Sequence, residues 1–271
     1  GRQDQAQKAL EAAGVLPGER RAEMSFDELF PAIPSPSPLQ AWASSVALAG
    51  GPQIHMLEDV TGAGKTEAAV ILAHRLMAAG CADGFFIGLP TMATANAMYG
   101  RIAHVYASLF AGNASLVLAH GQRNLVEAFA ESVIPDGPPD ADRQQLDDSA
   151  TARCAAWLAD HNKRALLAPA GVGTIDQALL GVLHSKHQCL RLLGLFRKVL
   201  VVDEVHACDA YMQGVLESLL EFHARAGGSA ILLSATLPSR MKQALLDAFA
   251  RGCHVEAPAL QVDSLTQYPL V

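Results

Sequence analysis

The chain has 271 residues, of which 51% are hydrophobic and 17% are charged, and its formal net charge is −7. This composition is sufficient for one large or two small globular domains, so neither disulfides nor structural metals are needed for stability. The low charge density excludes a disordered chain, and the negative balance argues against nucleic-acid binding through bulk positive charge. Any contact with DNA or RNA must therefore be local.

The five cysteines lie far apart and form no C-x-x-C pair, which argues against a zinc knuckle or a disulfide framework and fits a reducing cytosol. Apolar runs stay short of the roughly 18 to 20 residues of a membrane span, and the polar start lacks the order of a signal peptide. We therefore expect a cytoplasmic protein that makes no membrane contact. Because the first residue is Gly, we also expect the sequence to be a piece of a longer protein.

Short β-type apolar runs alternate with longer helical stretches, the pattern of a parallel sheet covered by helices. Predicted helices include 66–79, stopped by Gly80, and 211–226, stopped by Gly227. A Pro-rich stretch at 31–38 and a Pro- and Asp-rich stretch at 135–149 are predicted to be exposed loops. The predicted strands are residues 54–57, 85–89, 116–119, 165–168, 199–202 and 230–233.

The string TGAGKT follows an apolar strand and opens a predicted helix, the context that a phosphate-binding loop requires. Gly62 and Gly64 allow the backbone to turn its N–H groups toward phosphates. Lys65 can place a positive charge on the outer phosphates, and the Thr66 hydroxyl can ligate Mg²⁺. Asp59 stands where the strict Walker pattern has Gly, a position that helicase loops relax. The alternative is a glycine-rich turn that binds nothing.

A second motif, VLVVDEVH at residues 199–206, is an apolar strand that ends in two carboxylates. In a parallel sheet this end lies at the carboxyl edge, beside the phosphate loop, where such folds bind ligands. Asp203 is suited to holding Mg²⁺, and Glu204 to orienting and deprotonating an attacking water. Alone, such a pair is more often a solvated turn. Together with the phosphate loop, it indicates hydrolysis of a nucleoside triphosphate.

A third motif, LSAT at residues 233–236, again ends an apolar strand. Its small hydroxyl residues can hydrogen-bond to His206 and so link the hydrolysis site to another surface. In isolation the motif is equally well a helix N-cap before Pro238. Its place after the other two motifs favours a coupling role for Ser234, Ala235 and Thr236.

The three motifs in this order resemble the first motor domain of a superfamily-2 helicase of the DExH class. Three longer strings resemble the helicase-nucleases of type I CRISPR interference, in particular the type I-E branch. They are GLPTMATANAM at 88–98, VGTIDQALL at 172–180 and DEVHACDAYM at 203–212. Glu67, after the phosphate loop, also matches, and the similarity covers about residues 38–271. The resemblance implies an α/β, RecA-like P-loop NTPase fold, with a mostly parallel sheet and helices on both faces.

The resemblance also implies an ATP hydrolase and helicase that uses ATP and Mg²⁺ and moves 3′ to 5′ on single-stranded DNA, recruited by a crRNA-guided surveillance complex. Gln40 matches the adenine-reading position of the family's Q motif, while Phe26 or Phe30 either stacks on the base or belongs to the core. The implied catalytic residues are Lys65, Asp203, Glu204 and His206, and the implied metal ligands are Thr66 and Asp203. The implied nucleotide-binding residues are Gln40, Thr61, Gly62, Ala63, Gly64, Lys65, Thr66 and Glu67.

Thr91, Thr94 and Asn96 match the first DNA-contacting motif of the family, and Thr174 matches the second. Hydroxyls, amides and the N–H groups of helix starts can hold phosphates without reading bases, so a motor can step along any sequence. Thr91 and Thr174 also have a simpler interpretation as helix N-caps. Capping and phosphate contact can coexist, because a capped helix still offers free amide donors.

The nuclease of this family needs an adjacent His-Asp pair, and none of the ten histidines is followed by Asp. We therefore expect the HD nuclease and the second RecA-like domain to act in cis from outside this sequence. Without the arginine fingers of the second domain, ATP hydrolysis by the isolated chain is expected to fall by roughly 10³ to 10⁵. The predicted divisions are a linker or helical segment at 1–35, RecA-like domain 1 at 36–255 and the start of the interdomain connection at 256–271.

Two other functions stay open at this stage, a nucleotide-binding docking module without turnover and a different superfamily-2 DNA or RNA helicase. An anti-CRISPR protein is a further possible partner. Arg101 and Arg123 either contact the DNA backbone or belong to a solvated helix face. Trp42 and Trp157 are expected to pack in amphipathic helices, and the spacing of the histidines does not indicate a metal cluster.

Overall fold

A computed structural model of the chain describes residues 22–110, 116–119, 166, 168–179, 182 and 188–260. At its centre is a six-stranded sheet whose neighbouring strands all pair in parallel. The strand order across the sheet is β1-β6-β5-β2-β4-β3. The strands are β1 (Ile54–Glu58), β2 (Gly84–Leu89), β3 (Leu116–Ala119), β4 (Ala170–Thr174), β5 (Lys198–Val202) and β6 (Ala230–Ser234).

The strand predicted at 165–168 is wrong in position, while the other predicted strands are confirmed to within one residue at each end. The true strand, β4, begins after Pro169 and contains Gly171 and Gly173. Glycine is depleted in strands, so this segment carries a weak local signal. Pairing decides the outcome, since β4 lies in register between β2 and β3 and forms a parallel ladder with each.

The helices begin and end where local chemistry dictates. Ser37 caps α2 through a capping box with Gln40, and Pro38 occupies its first turn. Gly80 and Gly227 adopt positive φ just after α3 and α8, so both predicted helix stops are confirmed. The described helices are α1 (Phe26–Leu29), α2 (Pro38–Ser45), α3 (Lys65–Ala78), α4 (Met92–Ala103), α5 (Tyr106–Leu109), α6 (Ile175–Leu179), α7 (Gln188–Leu195), α8 (Ala210–Arg225) and α9 (Ser239–Cys253).

The sheet is covered on both faces. Every residue of β2, β4, β5 and β6 is buried, and successive residues of a strand point to opposite faces. This is the burial pattern of an α/β domain with helices on each side of a parallel sheet, as the sequence predicted. Phe85, Phe86 and Ile87 of β2 are among the largest fully buried side chains.

The N-terminal described segment packs on this core. Phe26 and Phe30 are buried, with ring centroids 5.6 Å apart, so both phenylalanines take the core alternative left open by the sequence. The predicted loop at 31–38 is confirmed up to residue 37, since α2 begins at Pro38. Trp42 packs against the core, as expected, with its ring edge toward His55. Outside the described residues lie the predicted loop at 135–149, Trp157 and Arg123.

The carboxyl ends of the strands place the sequence motifs in a row. The phosphate loop follows β1, the Ser234–Thr236 segment begins at the last residue of β6, and Asp203 follows β5. Further along the same edge, Thr91 follows β2, and Thr174 ends β4 in register with Leu89. In the described part of the chain, no helix is both long and apolar enough to cross a membrane.

Candidate active site

Two glycines shape the phosphate loop. Gly62 has a φ of +85° and Gly64 a φ of +83°, left-handed conformations that side-chain-bearing residues rarely adopt. Gly64 is also the N-cap of α3, a helix of 14 residues whose first amide N–H groups have no helical acceptors. Unpaired amides at a helix start behind a glycine turn are the backbone form of a phosphate nest.

The Lys65 side chain folds over this loop. Its ammonium Nζ donates hydrogen bonds to the carbonyl oxygens of Asp59, at 2.6 Å, and Val60, at 2.9 Å. Both acceptors are neutral carbonyls. The positive charge therefore remains uncompensated by these contacts and can attract an anion that enters the loop.

The structure explains how the loop accommodates Asp59 in place of the usual Gly. The buried Asp59 carboxylate accepts a hydrogen bond from the Val60 amide at 2.7 Å, so it is satisfied by its own turn. The Asp59 amide donates to the Ser234 carbonyl oxygen at 3.3 Å. Asp59 is not part of the cavity wall described below, so its side chain leaves the space for phosphates open.

Gln40, the predicted adenine-reading residue, contacts the phosphate loop from α2. Its Oε1 accepts a hydrogen bond from the Ser37 amide at 2.9 Å, and its Nε2 donates to the Gly64 carbonyl oxygen at 3.4 Å. The Ser37 hydroxyl donates to the Ala63 carbonyl oxygen at 3.0 Å. A Cβ added to Gly64 would lie 2.1 Å from Gln40 Nε2, so any other residue here would displace the Gln40 side chain from this position as well as strain φ.

The two carboxylates at the end of β5 have different environments. The Glu204 amide donates to Asp203 Oδ1 at 2.8 Å, and Glu204 itself has a φ of +52°, a strained value for a residue with a side chain. Burial raises the pKa of the Asp203 carboxyl, and the charge of Glu204 adds to this effect. The Glu204 amide bond and the charges of Lys65 and Arg101 act in the opposite direction.

His206 contacts the third motif, as the sequence predicted. His206 Nδ1 lies 3.1 Å from the Ser234 hydroxyl oxygen. The same hydroxyl donates to the Thr236 carbonyl oxygen at 3.3 Å. The short 3₁₀ helix after Glu204 thus has a hydrogen-bonded connection to the end of β6.

These elements enclose one cavity of about 710 Å³. Its wall brings together all the predicted nucleotide-binding and catalytic residues, together with Ser234 and Ala235, while Thr236 is not part of it. Five wall residues were not assigned to the site by the sequence, namely Ile33, Ser35, Pro36, Ser37 and Arg101. The first four come from the proline-rich loop before α2, whose nearness to Gln40 in the chain was the available signal. Ile33 contributes an apolar side chain to the wall, whereas Phe26 and Phe30 do not line it.

Arg101 reaches the cavity from α4. Its guanidinium forms an ion pair of 2.5 Å with the Glu67 carboxylate of α3. The sequence had offered Arg101 only as a DNA contact or a solvated residue. The structure instead places it in the wall of the same cavity as Lys65 and Asp203.

The predicted DNA-contacting residues lie apart from the cavity wall. The Thr91 side chain caps α4 and forms a capping box with Thr94, and both side chains also share a contact of 2.9 Å between their hydroxyl oxygens. The Asn96 Oδ1 is buried without a hydrogen-bond partner. Thr174 is only 8% exposed, so its side chain offers little surface to a ligand.

A parallel α/β sheet whose carboxyl edge carries a phosphate loop, an Asp-Glu strand end and a Ser-Ala-Thr segment is the arrangement of a RecA-like helicase motor domain. The comparisons with known proteins narrow this class. The chain is 40% identical over 270 residues to the CRISPR-associated endonuclease/helicase Cas3 of Escherichia coli, covering 100% of this chain and 29% of that protein. It is 42% identical over 260 residues to the protein of the same name from Thermus thermophilus, covering 94% and 27%.

Solved structures agree with these relatives. The crystal structure of T. fusca Cas3 with ATP matches with a TM-score of 0.77 and 35% identity, covering 97% of this chain and 28% of that one. A chain of a CRISPR RNA-guided surveillance complex in a pre-nicking state matches with a TM-score of 0.53 and 32% identity, covering 91% and 21%. The chain is therefore homologous to one segment of the Cas3 helicase-nucleases, and the resemblance predicted from its motifs is confirmed.

The chain spans less than a third of the length of these curated relatives. No protein-family model matches it.

Proposed function

We propose that this chain is the first motor lobe of a CRISPR-associated helicase-nuclease and that it binds and hydrolyses ATP to drive 3′-to-5′ movement on single-stranded DNA. The observation that carries the proposal is the convergence of Lys65, Thr66, Asp203 and Glu204 on one cavity of about 710 Å³. These residues come from two strand ends that lie far apart in the chain. Together they supply a cation for the phosphates, ligands for a metal ion and a base for the attacking water, the groups that a first motor lobe contributes to phosphoryl transfer to water.

The cavity fits a nucleoside triphosphate with Mg²⁺. The glycine turn and the start of α3 present amide N–H groups for phosphates, and Lys65 adds a positive charge. Thr66 and Asp203 would hold Mg²⁺, which usually binds through one or two protein oxygens and keeps several waters. Bound there, Mg²⁺ would neutralise charge on the phosphates.

Each residue then has a separate task. Gln40, held against Gly64, would exchange its amide partners for the donor and acceptor edge of adenine. Lys65 would leave the two carbonyls that it contacts and bind the outer phosphates. Glu204, on its strained backbone, would orient the attacking water and accept its proton. His206 would transmit the state of this site to Ser234 and the end of β6.

DNA binding would occur further along the same sheet edge. The exposed start of α4, with Thr91 and Thr94, and the nearby Asn96 would hold phosphates through hydroxyls and amides. Thr174 would act mainly through the backbone at the start of α6, because its side chain is buried. In the longer protein, an HD nuclease and a second RecA-like domain in cis would complete the helicase-nuclease. A crRNA-guided surveillance complex would deliver the DNA, a partner supported by the similarity to a chain of such a complex.

Two variants test the proposal. In the chain, Lys65→Ala should weaken binding of Mg·ATP at least about tenfold, because a charge-assisted contact is lost. Glu204→Gln should bind Mg·ATP within about twofold of wild type yet slow DNA-stimulated hydrolysis in the intact protein by about 10² to 10⁴. Calorimetry measures the binding, and phosphate release measures the turnover.

A matched control separates these effects from a general loss of charge. Glu217→Gln makes the same change on α8, outside the cavity wall, and should alter neither binding nor turnover. Unchanged unwinding by the intact protein carrying Lys65→Ala would refute the phosphate-loop assignment.

A further inference from the structure

Arg101 is a second cation in the cavity wall. Among the described wall residues, Lys65 and Arg101 are the only lysine or arginine side chains, against the carboxylates of Glu67, Asp203 and Glu204. A triphosphate carries several negative charges, so both cations are expected to contribute to its binding. Lys65 comes from α3, whereas Arg101 comes from α4, the helix whose first turn carries the proposed DNA contacts.

The geometry of Arg101 suits an exchange of partners. Its side chain is 53% exposed, so it can change rotamer without disturbing the core. One edge of the guanidinium binds a single Glu67 oxygen at 2.5 Å. The planar fork of arginine matches phosphate oxygens as well as carboxylate oxygens. Arg101 also lies near enough to Asp203 for its charge to favour the ionised carboxylate.

We infer that Arg101 is a sensor of the outermost phosphate, which leaves Glu67 when a nucleoside triphosphate binds and returns to it when the bound nucleotide lacks that phosphate. This inference rests on the proposed function, because it assigns a further role within the same site. Its consequence is a direct link between the nucleotide and α4, because the guanidinium of α4 would be tied to the nucleotide in one state and to Glu67 of α3 in the other. The start of α4 would thereby report the nucleotide state to the DNA.

A purely structural ion pair makes different predictions. An exposed pair that only joins α3 to α4 contributes little to stability, and removing either partner has the same small effect. A phosphate sensor instead predicts opposite effects on triphosphate binding when Arg101 and Glu67 are removed. Removing the guanidinium weakens triphosphate binding, whereas removing the competing carboxylate strengthens it.

The test measures binding of Mg·AMPPNP and Mg·ADP to the chain by calorimetry. Arg101→Gln should weaken AMPPNP binding about tenfold and leave ADP binding within about twofold. Glu67→Gln should strengthen AMPPNP binding by about threefold or more, again with little effect on ADP, and Arg101→Lys should recover part of the affinity. The control is Arg225→Gln, since Arg225 is 55% exposed and pairs with Glu221 on α8, away from the cavity.

The outcomes distinguish a failure of the proposed function from a failure of the sensor alone. If wild type binds neither nucleotide, the proposed function fails and the sensor fails with it. If wild type and Arg225→Gln bind both nucleotides, and Arg101→Gln shows the same ratio of AMPPNP to ADP affinity as wild type, the sensor alone is overturned. Equal weakening by Arg101→Gln and Glu67→Gln would also overturn it, because that result indicates a structural bridge.

Discussion

Glu58, the last residue of β1, is a buried carboxylate at the entrance to the phosphate loop. It is 2% exposed, and its two oxygens have separate partners. Oε1 accepts a hydrogen bond from the Leu237 amide, and Oε2 pairs with the ammonium of Lys242 on α9. Leu237 directly follows the Ser234–Thr236 segment, so Glu58 fixes that segment beside the start of the phosphate loop.

This position predicts a large stability effect for Glu58→Ala. The change removes a buried acceptor, leaves the Leu237 amide without its partner and leaves Lys242 without its counter-charge. We expect the free energy of unfolding to fall by about 2 to 4 kcal/mol, measured by urea denaturation. The control Glu221→Ala removes a more exposed carboxylate that also pairs with basic side chains and should lower it by less than about 1 kcal/mol. Equal losses in the two variants would contradict the structural role.

At this scale, the sequence predicts residues whose function depends on their neighbours in the chain. Gly62, Gly64 and Lys65 belong to one short string, and their roles follow from backbone freedom and charge. Glu58 and Arg101 escaped prediction because their partners, Lys242 and Glu67, are distant in sequence and meet them only in the folded chain. No local pattern indicates such pairs.

At the scale of elements, β4 shows where tertiary pairing outweighs local propensity. Its glycines made the apolar run at 165–168 a better strand by composition, but the ladders with β2 and β3 require residues from Ala170 onward. By contrast, α3 and α8 were predictable because each ends at a glycine with positive φ. A helix end is determined by the residues at that end, whereas the position of a buried parallel strand depends on the strands that pair with it.

Two titratable side chains are buried in the core, one on α8 and one on β5. His223 of α8 donates through Nε2 to the Ser229 carbonyl oxygen at 3.1 Å, and burial lowers its pKa to about 4. Lys198 of β5 donates to the Leu166 carbonyl oxygen, and burial lowers its pKa to about 7. Both groups therefore bind protons more readily in the unfolded chain, and both make stability rise with pH, His223 between about pH 4 and 6.5 and Lys198 between about pH 7 and 10.5.

The pH range over which His223 changes the free energy of unfolding gives a direct test of its burial. Its stabilising contribution is fully present above the unfolded pKa of about 6.5 and is lost as the pH falls toward the folded pKa of about 4. His223→Gln keeps a donor for Ser229 but cannot titrate. Between pH 7 and pH 5, wild type should lose about 2 kcal/mol more unfolding free energy than this variant. His104→Gln, at an exposed position after α4, should retain the wild-type pH dependence; a similar slope in all three proteins would contradict burial of a neutral His223.

At the scale of the whole molecule, strand order separates the proposed nucleotide and DNA sites. The phosphate loop follows β1 and α4, the proposed DNA-contacting helix, follows β2, with β6 and β5 between them. Three strand spacings correspond to roughly 14 Å. The two intervening strands end in the Ser234 and Asp203 motifs, which explains why these are suited to coupling. The chain order of the motifs does not reveal this spatial order, since β6 is last in the chain yet neighbours β1.

The charge of the whole chain predicts how DNA binding should respond to salt. With a net charge of −7, and if DNA is held through the proposed contacts of Thr91, Thr94 and Asn96, few phosphates are neutralised by lysine or arginine. Each neutralised phosphate of a single strand contributes a slope of about −0.7 to the dependence of log affinity on log salt concentration. Affinity for an oligothymidine, measured by fluorescence anisotropy, should therefore fall less than about tenfold between 50 and 200 mM salt, as about two neutralised phosphates would give.

A variant at the start of α4 connects this salt response to the proposed surface. Thr91→Asp retains an N-cap acceptor, so the helix should persist, but adds a negative charge where a DNA phosphate would lie. It should weaken oligothymidine binding about tenfold at 50 mM salt, an effect that shrinks as salt screens the added charge. Ser218→Asp, on the exposed side of α8, makes the same charge change elsewhere and should leave the affinity within about twofold. A loss of 10³ or more with salt in wild type, together with equal affinities for the two variants, would instead assign DNA binding to a basic surface away from α4.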